Sequence, residues 1–219
     1  MKGRDGDAWQ RNITGKPINE MISGLSLAGF NGIYVDSYGY QDGGKEVISS
    51  LTSILQVMPL ISDDSRLYFF DMTAYNSNLK AQYTPLEYEK EKDHVLNYLR
   101  PEWGDGFSIL EGTSENNWRW CSSVGTLIIN NPSDKERKLN LKANFVTGHP
   151  ELANLKIEST LLTENLKINV DGYTFEKEIV IPPGRYVIKF SCDARRLDAP
   201  GDPRFIVFGI KNFQVVESE

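Results

Sequence analysis

Apolar positions in the first half of the chain recur with a helical period. After Pro17 they fall at Ile18, Met21, Ile22, Leu25 and Ala28, which predicts a helix stopped by Gly29. Gly32-Ile33-Tyr34-Val35-Asp36 reads as a short buried strand. From Lys45, the residues Val47, Ile48, Leu51, Ile54 and Leu55 share one helical face. Met58–Ile61 and Leu67–Phe70 read as a hairpin around Ser62-Asp63-Asp64-Ser65. Thr84 and Glu87 have the spacing of a capping box, with Pro85 at the first helical position; the charge-dense run to Asp93 is a solvated helix or a linker. The order helix, strand, helix, strand, strand predicts a small α/β module over residues 1–100.

Pro101 and Gly104-Asp105-Gly106 mark a boundary, and beyond it the period changes to two. Strand-like runs follow at Phe107–Glu111, Trp118–Ser122, Gly125–Asn130, Arg137–Val146, Leu155–Leu162, Asn165–Val170, Tyr173–Ile181, Arg185–Cys192 and Phe205–Val216. Leu139, Leu141, Ala143 and Phe145 share one face, as do Tyr186, Ile188 and Phe190. Turn signals such as Asn131-Pro132-Ser133-Asp134, Asp171-Gly172 and Pro182-Pro183-Gly184 separate the runs. Residues 101–219 therefore read as an antiparallel β-sandwich, a jelly roll, and the whole chain as α+β.

Composition narrows the function. The 219 residues are 40% hydrophobic and include ten Tyr, ten Phe and four Trp, enough to build a core. A net charge of −6 argues against a general nucleic-acid binder. No apolar run reaches the roughly 18–20 residues of a membrane span. The polar start, MKGRDGDAWQRN, has no secretory h-region, so the chain is either cytoplasmic or a domain of a longer parent. Cys121 and Cys192 are either two small buried residues or a disulfide between neighbouring strands. His94 and His149 lack ligand-spaced partners, and neither a metal site nor a cofactor is expected.

Three places carry candidate chemistry. The first is the glycine-rich loop after the strand ending at Asp36, where α/β folds place ligands. There Asp36 is either a catalytic or a sugar-binding carboxylate, Tyr38 lies beside it, and Asp42 either joins them or caps the next helix. The second is Trp118-Arg119-Trp120, which sets both indoles on one strand face. They are either sandwich core, with Leu127 and Ile129 of the following run as apolar neighbours, or a platform for sugar rings. Trp9 and Trp103 anchor boundary segments. The third is Ala199-Pro200-Gly201-Asp202-Pro203-Arg204, whose prolines stiffen the loop. Asp202 and Arg204 either staple the last strand through a carboxylate of the same chain or present a ligand edge.

Several runs together carry a resemblance: Met1-Lys2-Gly3-Arg4-Asp5-Gly6-Asp7-Ala8-Trp9-Gln10-Arg11, Leu27 to Asp36, Asp71-Met72-Thr73-Ala74-Tyr75, Trp118-Arg119-Trp120 and Ala199 to Arg204. Over nearly the whole chain they resemble the C-terminal soluble region of large bacterial polytopic membrane proteins described as phosphoglycerol-transferase-like, sulfatase-like or glycosyltransferase-C-like. The resemblance implies an extracytoplasmic tail tethered to a membrane part of its own parent, with the catalytic acids in membrane-part loops, so no active-site residue carries over. Its partners would be an envelope glycan or a lipid-linked sugar. The first expectation is thus a non-catalytic accessory domain that positions a glycan acceptor. The alternatives are an autonomous carbohydrate-active hydrolase or transferase using carboxylates around Asp36, and a purely structural interaction domain.

Overall fold

The computed structural model describes residues 5–217, so Met1–Arg4 of the run quoted above lie outside the described residues. The chain divides into two compact units, Met1–Tyr98 and Leu99–Glu219.

The first unit holds α1 (Asp5–Thr14), α2 (Ile18–Leu27), β1 (Gly32–Asp36), α3 (Lys45–Leu55), β2 (Leu60–Ile61), β3 (Leu67–Asp71), α4 (Thr73–Ala81) and α5 (Pro85–Leu96). Its sheet has the order β1-β3-β2 and both pairings are antiparallel. The crevice that parallel sheets form at their strand ends is therefore not built here. The core is Ile22, Val35, Leu51, Leu55, Phe70 and Met72. Tyr34 and Phe69 point away from that core, with ring centres 4.8 Å apart and planes tilted by 43°. Helices α1 and α4 lie where the apolar period is too sparse to announce them. Trp9 is part of α1 rather than a loose anchor: its Nε1 donates to the Val95 carbonyl at 2.8 Å and its ring stacks on Phe30. The Thr84–Glu87 box closes in both directions, which makes the charge-dense run a helix and not a linker.

The second unit is all strand: β4 (Arg100–Trp103), β5 (Glu111–Gly112), β6 (Asn117–Cys121), β7 (Val124–Asn131), β8 (Arg137–Thr147), β9 (Ala153–Glu158), β10 (Thr163–Ile168), β11 (Tyr173–Ile181), β12 (Gly184–Cys192) and β13 (Phe208–Glu217). They form two five-stranded antiparallel sheets, β10-β9-β12-β7-β4 (sheet I) and β11-β8-β13-β6-β5 (sheet II). Only the β5–β6 and β9–β10 hairpins stay within one sheet; every other connection crosses, so the unit is a jelly-roll-like β-sandwich.

Alternating apolar residues of the two sheets meet in a single core. Leu127, Ile129, Leu155, Ile157 and Ile188 come from sheet I, and Leu139, Phe145, Ile181, Phe208 and Ile210 from sheet II. Asn131 explains the Asn-Pro-Ser-Asp turn. It is buried, and its amide donates to the Lys135 and Ile181 carbonyls while its oxygen accepts the Ser133 N–H. The boundary signals Pro101 and Gly104–Gly106 lie inside this unit. Residues 100–103 pair with β7, and the segment after them continues to bond there through Gly104 N–H to Thr126 O and Thr126 N–H to Asp105 O.

Candidate functional site

Strand β6 decides which way the tryptophans face. Cys121 is buried in the sandwich core, and so are Phe208 and Ile210 of the neighbouring β13. Alternation then places Trp118, Trp120 and Gly209 on the outer face of sheet II. Both indoles are half-buried, and neither belongs to the core. Of the two alternatives the sequence leaves open for them, sandwich core is the one overturned. Leu127 and Ile129, taken above as their neighbours, lie in the opposite sheet and point inward. Arg119 points to the other side of β6, where its guanidinium sits 5.3 Å from the Trp103 ring centre and donates to the Ser108 carbonyl at 2.6 Å. Burial lowers the pKa of that guanidinium.

A glycine is what lets Trp120 lie down. A Cβ at position 209 would stand 2.9 Å from Cε3 and Cζ3 of Trp120 and 3.4 Å from Cγ2 of Val146. The indole therefore rests on the bare backbone of β13. The other side of the cluster is built from afar. Arg204, in the loop before β13, reaches Glu111 of β5 at 2.5 Å and Asp202 at 2.7 Å. Asp202 Oδ1 also accepts the Arg204 backbone N–H at 3.0 Å, which closes the loop on itself. Glu111 is the register partner of Trp118, and its Oε1 accepts from Ser108 Oγ at 3.2 Å; the same Oγ accepts the Trp120 backbone N–H at 3.0 Å.

The electrostatics follow from Arg204. Its guanidinium is the main reason the Glu111 carboxyl is held below its usual range and the Asp202 carboxyl is brought down to about 2. The two carboxylates in turn raise Arg204. Beside this network runs an open groove of about 380 Å³, lined by Gly106, Phe107, Ser108, Trp120, Cys121, Ser122, Arg204, Phe205 and Ile206. Phe205 is exposed, and the Arg196 guanidinium stands 5.6 Å over its ring.

Four of the residues singled out in the sequence, Trp118, Trp120, Asp202 and Arg204, are thus gathered around Glu111. Glu111 and Ser108 went unnoticed because each reads as an ordinary position in a strand-like run. Nothing in the sequence connects Glu111 to Arg204 across 93 residues.

The other three belong to the first unit. Arg66 grips Asp36 through Nε at 3.0 Å and Nη2 at 2.6 Å, and the Tyr38 backbone N–H adds a third bond. Chiefly because of Arg66, the Asp36 pKa is lowered, so it holds no proton to donate at neutral pH. Tyr38 is 76% exposed, with Arg66 4.9 Å from its ring centre. Asp42 caps α3, accepting the N–H groups of Glu46 and Gly44, both at 2.9 Å. This loop is a braced turn and not a pair of carboxylates flanking a reactive bond.

A second open groove, of about 410 Å³, lies against His149, Glu151, Leu152, Ala153, Asp193, Ala194 and Arg195. Of the residues weighed in the sequence, only His149 lines it, and its Nε2 lies 3.1 Å from the Arg196 carbonyl oxygen. Among the described residues no group of three or more His, Cys, Asp or Glu is placed to hold a metal ion, and no helix is long and apolar enough to cross a membrane.

No protein-family model matches the chain, and no curated protein matches it. Among solved structures, a family 35 carbohydrate-binding module from Cellvibrio japonicus is 12% identical at a TM-score of 0.34, over 54% of this chain and 92% of that one. A second family 35 module, solved with a disaccharide containing glucuronic acid, is 11% identical at a TM-score of 0.33, over 54% of this chain and 91% of the other. The C-terminal family 6 module of a laminarinase from Zobellia galactanivorans is 8% identical at a TM-score of 0.30, over 52% of this chain and 95% of the module. The sandwich described above is established by its own strand pairing.

Proposed function

We propose that the second unit is a non-catalytic glycan-binding module whose site is the outer face of sheet II around Trp120. One observation carries this reading: the Trp120 indole is pinned on the bare backbone of Gly209 yet lines an open groove together with an exposed Phe205. Fixed aromatic faces give a sugar ring contact area with little ordering cost, and the Ser108 hydroxyl and the Glu111–Arg204–Asp202 network supply polar partners at the edge. The resemblance of the sequence to the soluble tails of polytopic envelope proteins supports the wider reading. In it, the chain is the extracytoplasmic accessory part of a lipid-linked sugar or polyol-phosphate transferase, tethered through its parent's membrane part, and it presents a glycan acceptor to that parent.

The test is an oligosaccharide array read with the full chain and with Trp120→Ala. Because Trp120 lies outside the core, the variant is expected to stay folded by circular dichroism while its glycan signal falls at least about tenfold. A wild-type chain that captures no glycan, or a variant that binds as well as wild type, refutes the reading.

A further inference from the structure

The charge balance of the groove narrows what it accepts. Arg204 is its only charged lining residue among the described residues, and all three nitrogens of that guanidinium already donate to carboxylate oxygens. Nε and Nη2 go to Asp202 at 3.0 and 2.7 Å, and Nη1 goes to Glu111 at 2.5 Å. The other cations close by are also engaged. Arg196 stands over Phe205 and donates to the Arg204 carbonyl, and Arg119 lies on the opposite side of β6 under Trp103. Two carboxylates thus already more than balance the one cation that lines the groove, so an anionic ligand finds no uncompensated charge on it. A hydroxyl-bearing neutral ligand instead meets the Ser108 and Ser122 hydroxyls and an aromatic floor of Trp120 and Phe205.

From this we infer that the Trp120 groove selects neutral sugars and rejects uronates and phosphate-bearing polyols, with the doubly held Arg204 as the excluding element. The inference rests on the glycan-binding reading above. Asp202 is the specificity-setting residue in this arrangement. It takes up the side of the guanidinium that Glu111 leaves free, and it does so from a loop stiffened by two prolines and folded back through the Arg204 N–H.

The test uses matched probes that differ only in charge: oligogalacturonates beside their methyl esters, and glycerol-phosphate-substituted oligosaccharides beside the unsubstituted backbones. They are read with the full chain, with Trp120→Ala to define the site, and with Asp202→Asn. In each pair that gives a Trp120-dependent signal, the neutral member is expected to bind at least about tenfold tighter, and its binding is expected to be flat as salt rises from about 50 to about 500 mM. Asp202→Asn keeps a side-chain oxygen for the Arg204 N–H and leaves Glu111 in place, but frees guanidinium donors. It is expected to narrow the neutral preference by about tenfold. A charged member that binds wild type as well as its neutral twin overturns this inference and leaves the glycan-binding reading standing. An array without any Trp120-dependent signal overturns both. An unchanged preference in Asp202→Asn removes Asp202 from its assigned role.

Discussion

Gly209→Ala probes whether Trp120 rests on β13 as described. The added Cβ would stand 2.9 Å from two indole carbons, about 0.6 Å inside the roughly 3.5 Å at which carbon atoms rest against each other. The indole must lift or the strand must bow, an overpacking cost of about 1–3 kcal/mol. Against this, alanine gives up less backbone freedom on folding than glycine, worth about 0.5–1 kcal/mol in a strand. The net expectation is a loss of roughly 0–2.5 kcal/mol, up to several degrees in melting temperature. The same change made on a Trp120→Ala background keeps the backbone gain and loses the clash, so it should stabilise by about 0.5–1 kcal/mol. The cycle therefore yields a coupling energy of about 1–3 kcal/mol from guanidinium denaturation of the four proteins followed by circular dichroism. If Gly209→Ala costs the same on both backgrounds, the clash is not with Trp120, and the picture of an indole laid on bare backbone is wrong.

Three further outcomes are expected. Phe208→Ala removes a ring that is 0% exposed at the centre of the sandwich and should cost about 3–5 kcal/mol in denaturation; a loss under about 1 kcal/mol would mean the core is not packed as described. Asp202 and Glu111 have carboxyl groups depressed in the folded protein, so their contribution is complete above the ordinary carboxylate range near pH 4 and disappears as pH falls towards about 2. Melting temperature should accordingly be flat from about pH 5 to 8 and drop between about pH 4 and 2, with a shallower drop in Arg204→Met; equal slopes would count against the pairing. Cys121 and Cys192 are both free and buried, and burial pushes both thiols up, so a thiol reagent at about pH 8 should label neither in the folded chain and both in denaturant, whereas rapid labelling of the folded protein would contradict their placement.

Local signals were strong where one residue settled a question. The strand Gly32–Asp36, the start of α3 at Lys45, the Thr84 box and the strand Tyr173–Ile181 all stand where the pattern puts them. What failed did so for identifiable reasons. Helix α4 carries Tyr75 and Leu79 as its only large apolar positions, too few for a period to show, and its start is set by Asp71 accepting the Thr73 N–H. Strand β4 was hidden by Pro101, which reads as a break. Because β4 is the edge of sheet I, a residue without an N–H costs no ladder bond there. For the tryptophans, period two established that both indoles share a face, but not which face is inside. That answer comes from Cys121 one position on and from the strand that pairs with it nearly ninety residues later. The Glu111–Arg204 contact is of the same kind: it is made by topology, and no local pattern announces it.

The placing of β13 reaches into how the unit is made. The last strand in sequence is the middle strand of its sheet, seated between β8 and β6. Until residues 208–217 leave the ribosome, sheet II exists as two separate halves, β11–β8 and β6–β5, with the inner faces of Leu141, Phe145 and Cys121 unsealed. Closure of the sandwich thus waits for the last strand of the unit and depends on pairings across long stretches of chain, the circumstance in which folding is slow and nascent strands are exposed to wrong partners. A chain ending before Phe208 would lose far more than its tail.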